Sequence, residues 1–163
     1  MITLREIKIS DFEEVLKWSK DRHFCFASGW DVTRTEDELF QWWRHCVYNL
    51  TENFIRLGIE YHGKIIGYAD LLCINNNCAE IGITIGDSSL WGKAIGSNAL
   101  IKLMKEAAEN REITTFLAET HETNIRSQKM LEKLGFKEIG RNGSEIYAGQ
   151  ECSLIQYSLL KNK

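Results

Sequence analysis

The stretch Ala79-Glu80-Ile81-Gly82-Ile83-Thr84-Ile85-Gly86-Asp87-Ser88-Ser89-Leu90-Trp91-Gly92-Lys93-Ala94-Ile95-Gly96-Ser97 constrains this chain more than any other. Ala79 to Ile85 reads as a strand, Gly86-Asp87-Ser88-Ser89 breaks the pattern, and a helix starts at about Ile95 or Gly96. A helix start leaves several backbone N–H groups unpaired, with the positive end of the helix dipole behind them. Glycines nearby let a ligand approach closely, and Lys93 adds positive charge, so the turn suits a phosphate. The spacing is neither Gx4GK[ST] nor GxGxxG, which supports neither an ATP P-loop nor a Rossmann dinucleotide site. On spacing alone, a tight strand-to-helix connection explains it equally well.

The flanking sequence sets this turn in a mixed α/β chain. Ile2 to Ile9 alternates at about period two, as a half-buried strand does. Ser10 and Asp11 offer N-caps to a helix carrying Phe12, Val15, Leu16 and Ser19. Asp21 to Thr33 loses periodicity and reads as a loop. Thr35 and Glu38 form a capping-box pattern ahead of the stripe Leu39, Trp43, Cys46, Leu50. Phe54–Tyr61 and Lys64–Ile74 flank His62-Gly63 as a hairpin, and Asn75-Asn76-Asn77 turns the chain into Ala79–Ile85. The helix Ile95–Asn110 turns Ala99, Leu100, Leu103, Met104 and Ala107 inward. Thr114–Glu119 is a strand. A helix capped by Thr123 or Asn124 then ends at Gly135, and Phe136–Gly140 and Cys152–Leu160 close the chain as strands around a turn-rich Asn142-Gly143-Ser144. The expected order is β-α-α-β-β-β-α-β-α-β-β, a mixed sheet.

With 163 residues, 44% of them apolar, the chain has room for one core, and 1–163 is expected to be a single domain. A net charge of −3 gives no whole-protein field for nucleic acid, and the absence of proline excludes proline-rich linkers. No apolar run approaches the roughly 18–20 residues of a membrane span, and the N-terminus lacks a signal-peptide pattern. Cys25, Cys46, Cys73, Cys78 and Cys152 are scattered without a CxxC pair, so no metal is expected and the thiols are read as reduced, mostly buried and cytoplasmic.

A second segment, Asn124-Ile125-Arg126-Ser127-Gln128-Lys129-Met130-Leu131-Glu132-Lys133-Leu134-Gly135-Phe136, lies about 30 residues beyond the first, across one helix and one strand. Together the two resemble the Gcn5-related N-acetyltransferase (GNAT) superfamily, and within it the branch of ribosomal-protein N-terminal acetyltransferases. Trp91-Gly92-Lys93-Ala94-Ile95-Gly96 matches the family's [Arg/Gln]-x-x-Gly-x-[Gly/Ala] with two departures, Trp91 and Ala94. The likeness is strong from Glu80 to about Gly140 and weakest over residues 20–50.

The resemblance implies a mostly antiparallel sheet flanked by helices, acetyl-CoA as cosubstrate, and a primary amine as acceptor, either a protein N-terminus or a small molecule. Two parallel strands, ending at Ile85 and Glu119, would splay to admit the cofactor. Backbone groups of Ile83, Thr84 and Ile85 would line its pantetheine arm, and the N–H groups of Gly92, Lys93, Ala94, Ile95, Gly96 and Ser97, beside Trp91, would hold its pyrophosphate. Asn124 would reach the pantetheine, and Ser127 would lie near the thioester sulfur. Glu80 matches the position of a general base in some relatives. The tyrosine that serves many relatives as general acid is replaced by Leu131, so Ser127 is the remaining donor. His23, Phe24, Phe26 and Trp30 lie in the segment where relatives bind the acceptor, and read as pocket or as buried loop aromatics alike, with Phe26 and Trp30 expected to set acceptor choice; Glu36-Asp37-Glu38 is read as a dipole-complementing first turn. Trp42 and Trp43 are read as core, His121 as a further candidate at the cleft, and Arg126, Lys129 and Lys133 as a solvated helix face within reach of a 3′-phosphate. The competing reading is a non-catalytic CoA-binding or regulatory module. The sequence specifies neither acceptor nor oligomeric state.

Overall fold

The computed structural model describes residues 1–49 and 51–161. Eight strands form a single sheet in the order β1-β2-β3-β4-β5-β8-β6, with β7 paired to β8. They are β1 (Ile2–Glu6), β2 (Ile55–Tyr61), β3 (Lys64–Asn75), β4 (Cys78–Ile85), β5 (Thr115–His121), β6 (Lys137–Gly140), β7 (Ser144–Tyr147) and β8 (Gln150–Leu160). The helices are α1 (Phe12–Trp18), α2 (Arg22–Ser28), α3 (Glu36–Tyr48), α4 (Ile95–Arg111) and α5 (Ile125–Lys133). Every named pairing is antiparallel except β4 with β5. A parallel neighbour needs a crossover, and α4 is that crossover.

The sheet has two apolar faces. On one, Ala99, Leu100, Leu103, Met104 and Ala107 of α4 pack against Ala69, Leu71, Ala79, Ile81, Phe116 and Ala118. The expected stripe of α4 is therefore all core. On the other, Val15, Trp18, Phe24, Leu39 and Trp43 from α1–α3 cover Ile65 and Tyr68. The pairing of β2 and β3 slips at Ile66, so Ile65 and Tyr68 share a face although they are three residues apart. The Trp43 indole N–H reaches the Lys8 carbonyl at 2.9 Å, and Trp42 is half-buried beside it.

Several sequence expectations change here. Residues 21–33 are not all loop: α2 forms because the Asp21 carboxylate accepts from the Phe24 N–H at 3.1 Å and Gly29, at φ +73°, ends the helix. Seven residues are too few to show a helical period. Asp11 does not cap α1; its carboxylate is buried, accepts from the Lys8 N–H at 2.8 Å and binds Arg5. The turn-rich segment near Gly143 hides β7, whose hairpin with β8 turns on Ala148-Gly149, both at positive φ. Only Cys25 and Cys152 are buried; Cys46 and Cys78 are partly exposed and Cys73 is exposed. Leu50 of the α3 stripe lies outside the described residues. The capping box of Thr35 and Glu38 is formed in both directions.

Candidate active site

The β4–β5 pair closes at one end only. Cys78, Ala79 and Glu80 pair with Thr115, Phe116 and Leu117, and no pairing follows, although β4 continues to Ile85 and β5 to His121. Ile81–Ile85 on one side and Ala118–His121 on the other line a cleft of about 1030 Å³. The backbone edge of β4 that faces β5 is thus left without a strand partner. Apolar side chains of Ile81, Ile83 and Ile85 turn toward the α4 face, while Thr84 lies opposite Tyr68 on the other.

The turn expected to bind an anion stands at the wide end of this gap. No N–H of residues 92–97 meets an acceptor among the described residues; the first bonded amide of the helix is Asn98, to the Ala94 carbonyl at 3.1 Å. Ala94 carries the turn in the left-handed region at φ +62°, where its methyl costs about 1–2 kcal/mol. A Cβ on Gly96 meets nothing nearer than the Met130 sulfur at 3.6 Å, so the second turn residue is open rather than crowded. Trp91 fixes the approach to the turn: its indole N–H donates to the Ile85 carbonyl at 3.0 Å, and its ring packs edge-on to His23 and lies 5.3 Å from the Arg126 guanidinium. Asp21 ties α2 to the same turn by accepting from the Ser88 N–H and hydroxyl.

Six free amides, a positive helix end and an unpaired strand edge fit a long thioester cosubstrate with a pyrophosphate head. The family model described as the acetyltransferase (GNAT) domain matches residues 1–137. This chain belongs to the GNAT acetyltransferase family. Its sequence is 32% identical over 164 residues to "Putative ribosomal N-acetyltransferase YdaF" of Bacillus subtilis, covering 98% of this chain and 85% of that one. It is also 31% identical over 149 residues to the uncharacterised protein MJ1062 of Methanocaldococcus jannaschii, covering 90% of this chain but spanning only 30% of that longer protein. The crystal structure of the microcin C7 self-immunity acetyltransferase MccE, in complex with acetyl-CoA and AMP, superposes with a TM-score of 0.84 at 24% identity, over 98% of this chain and 92% of that one. The GNAT domain makes the chain an acetyl-CoA-dependent N-acetyltransferase.

Most residues expected to bind the cofactor come together. Ile83, Thr84, Ile85, Trp91, Gly92, Ala94, Ile95, Gly96, Ser97, Asn124 and Ser127 all line the cleft. Lys93 does not: its side chain is exposed away from the lining, and only its backbone N–H belongs to the turn. Arg126, Lys129 and Lys133 do line it, which gives the α5 wall three cations. Asn124 caps α5, accepting from the Ser127 N–H at 3.1 Å, and the Ser127 hydroxyl has no partner among the described residues. Leu131 is buried in the α4-side core and carries no proton.

Glu80 sits at the closed end of the gap, the last paired residue of β4, and is not part of the lining; it does not stand at the cleft's mouth as the strand reading implied. Burial, and then the nearby Glu119 carboxylate, push its carboxyl above the ordinary range. Glu119 lines the cleft and accepts from the Gln156 side chain at 2.8 Å. Trp30 belongs elsewhere: it packs on Phe24 and Trp42 with Arg34 above it, outside the cleft. Phe26 is exposed at the lining, and a Cβ placed on Gly149 of the β7–β8 turn would lie 3.6 Å from its ring. Sequence reasoning missed that turn entirely. Glu145 and Tyr147 of β7 line the cleft, and the only local signal was alternation over Ser144–Tyr147.

Proposed function

We propose that this acetyltransferase moves acetyl directly from acetyl-CoA to a primary amine, a protein N-terminus or a small molecule. The observation that carries the reading is the splayed β4–β5 gap leading from six unpartnered turn amides to two cleft-lining carboxylates, Glu119 and Glu145. Those carboxylates favour a cationic acceptor, while Phe26 and Tyr147 give it an apolar wall. The name of the Bacillus subtilis relative, a putative ribosomal N-acetyltransferase, supports a protein amine as one such acceptor.

Glu80 takes the proton of the incoming ammonium, through a water because its carboxylate lies at the apex behind the lining. A carboxyl raised by burial is a stronger proton acceptor near neutral pH than an exposed one. The free edge of β4 offers a backbone N–H to the carbonyl oxygen as negative charge develops. The Ser127 hydroxyl, open to the cleft, lies beside the departing sulfur. No cysteine lines the cleft among the described residues, which favours direct transfer over an acyl-cysteine route. The test is thiol release from acetyl-CoA against a panel of peptides with free N-termini, diamines and amino sugars. Release with at least one amine is expected. Tight acetyl-CoA binding without release with any of them would make the chain a CoA-binding module instead.

A further inference from the structure

An amine reaching this cleft as ammonium must lose two protons. One leaves before attack, and Glu80 receives it in the reading above. The other remains on nitrogen until the tetrahedral adduct collapses, when sulfur departs as a thiolate. Resting on that reading, we propose that His121, held by Glu145, carries this second proton from nitrogen to sulfur.

His121 ends β5, and strand alternation puts its side chain on the face of Leu117 and Glu119, while Ala118 and Thr120 are buried on the other. It lines the cleft on the open arm of the gap, where β5 has parted from β4. Its Nε2 is hydrogen-bonded to the Glu145 carboxylate, its ring stacks on Tyr147 with centroids 4.1 Å apart at 10°, and its carbonyl accepts from the Gln128 side chain at 3.1 Å. Two of these contacts, the carboxylate and the stacked tyrosine, fix the ring itself. An ionised carboxylate only accepts, so Nε2 must be the donor, and Nδ1 is left with its lone pair and no partner among the described residues. Glu145 then stabilises the imidazolium that forms when Nδ1 takes a proton.

The step balances. Nitrogen attacks the thioester carbonyl and the C–N bond forms; Nδ1 removes the N–H proton from the adduct. The C–S bond breaks with its electron pair on sulfur, and Nδ1–H protonates that sulfur. Amide and thiol leave, and the imidazole returns to its starting form. The charged and titratable groups around it are Glu145 and Tyr147 from β7, Glu119 from its own strand, Glu122 next in the chain, and Arg126 and Lys129 across the cleft; Leu154 faces it on β8.

The test uses the full chain with an amine found active in the panel, and calorimetric titration of acetyl-CoA beside it. His121→Gln should lower kcat about 10²-fold while acetyl-CoA affinity and KM for the amine stay unchanged. Glu145→Gln, at an exposed position, should lower kcat about tenfold, and Glu145→Asp should recover part of that loss. Wild-type kcat in His121→Gln overturns the proposal. Should His121→Gln fail to fold, Glu145→Gln decides, and an unchanged kcat there overturns it too. If the wild-type protein binds acetyl-CoA yet releases no thiol with any amine, the acetyl-transfer reading itself fails, and that result is separate from an active enzyme indifferent to His121.

Discussion

The two walls of the cleft are built from different material. The wall proposed for the cofactor is backbone: turn amides 92–97 and the free edge of β4, positioned by a helix start and a strand end adjacent in sequence. The wall proposed for the acceptor is side chain: α2 and the β7–β8 hairpin, drawn from segments more than a hundred residues apart. A backbone site tolerates changes of side chain that leave the turn intact, whereas a side-chain site fails with the loss of one partner. Alanine at position 94 shows the first behaviour, since it takes the left-handed turn despite its methyl. The Arg56–Asp70 pair, outside the cleft lining, shows the same dependence on a single partner in the fold.

Asp70 lies buried on β3 with both oxygens bonded to Arg56, at 2.8 and 2.9 Å, under Tyr68 and Trp42. Burial pushes Asp70 up against the pull of the guanidinium. Asp70→Ala leaves the half-buried Arg56 without its carboxylate and should cost about 3 kcal/mol of stability by urea unfolding. A loss near zero would mean that the fold does not depend on this pair. Glu80→Gln comes next: kcat should fall on the order of 10²-fold with acetyl-CoA affinity unmoved. Because Glu119 raises Glu80 and activity requires the ionised carboxylate, Glu119→Gln should move the acidic limb of the pH–rate profile to lower pH. A limb that stays in place would uncouple the two residues.

Phe26→Ala should raise the acceptor KM about fivefold and leave that of acetyl-CoA alone, because the ring lines the cleft from α2, outside the backbone wall proposed for the cofactor. Equal effects on both constants would dissolve the distinction between the walls. The smallest effect is expected at Ala94→Gly. Relief of the left-handed strain, partly offset by a more flexible unfolded chain, should add about 0.5–1 kcal/mol of stability. Thermal unfolding reads it directly, and a lower Tm would contradict the strain.

The same contrast explains what could be read from residues alone. The strand–turn–helix proposed to hold the pyrophosphate was legible as a turn because strand, breaker, glycines and helix start lie within nineteen consecutive residues, Ala79 to Ser97. The α4 core stripe and the Thr35–Glu38 box were legible for the same reason: each is a local pattern with a physical period or spacing. The gap itself was not, because the parting of β4 from β5 depends on strands linked through α4, and only the family likeness announced it. Trp30 was misplaced since an aromatic in an aperiodic segment reads alike whether it faces a core or a cleft. Glu145 and Tyr147 were invisible because Ala148-Gly149 lacks the asparagine or aspartate that marks a two-residue hairpin turn. Their partner His121 lies 24 residues away from Glu145, beyond any local spacing rule.

The central claim is that the amides of residues 92–97 hold the cosubstrate's pyrophosphate, and Gly96→Asp tests it most directly. The new Cβ would meet Met130 and Ile83 only at ordinary contact, 3.6 and 3.9 Å, and an acidic residue in a first helical turn favours the helix. The variant should therefore fold at least as well as the wild type, while its carboxylate stands against the phosphates. Calorimetric titration should show acetyl-CoA binding weakened about a hundredfold or more with Tm unchanged or raised. A folded Gly96→Asp protein that binds acetyl-CoA with wild-type affinity would place the pyrophosphate elsewhere and contradict this account.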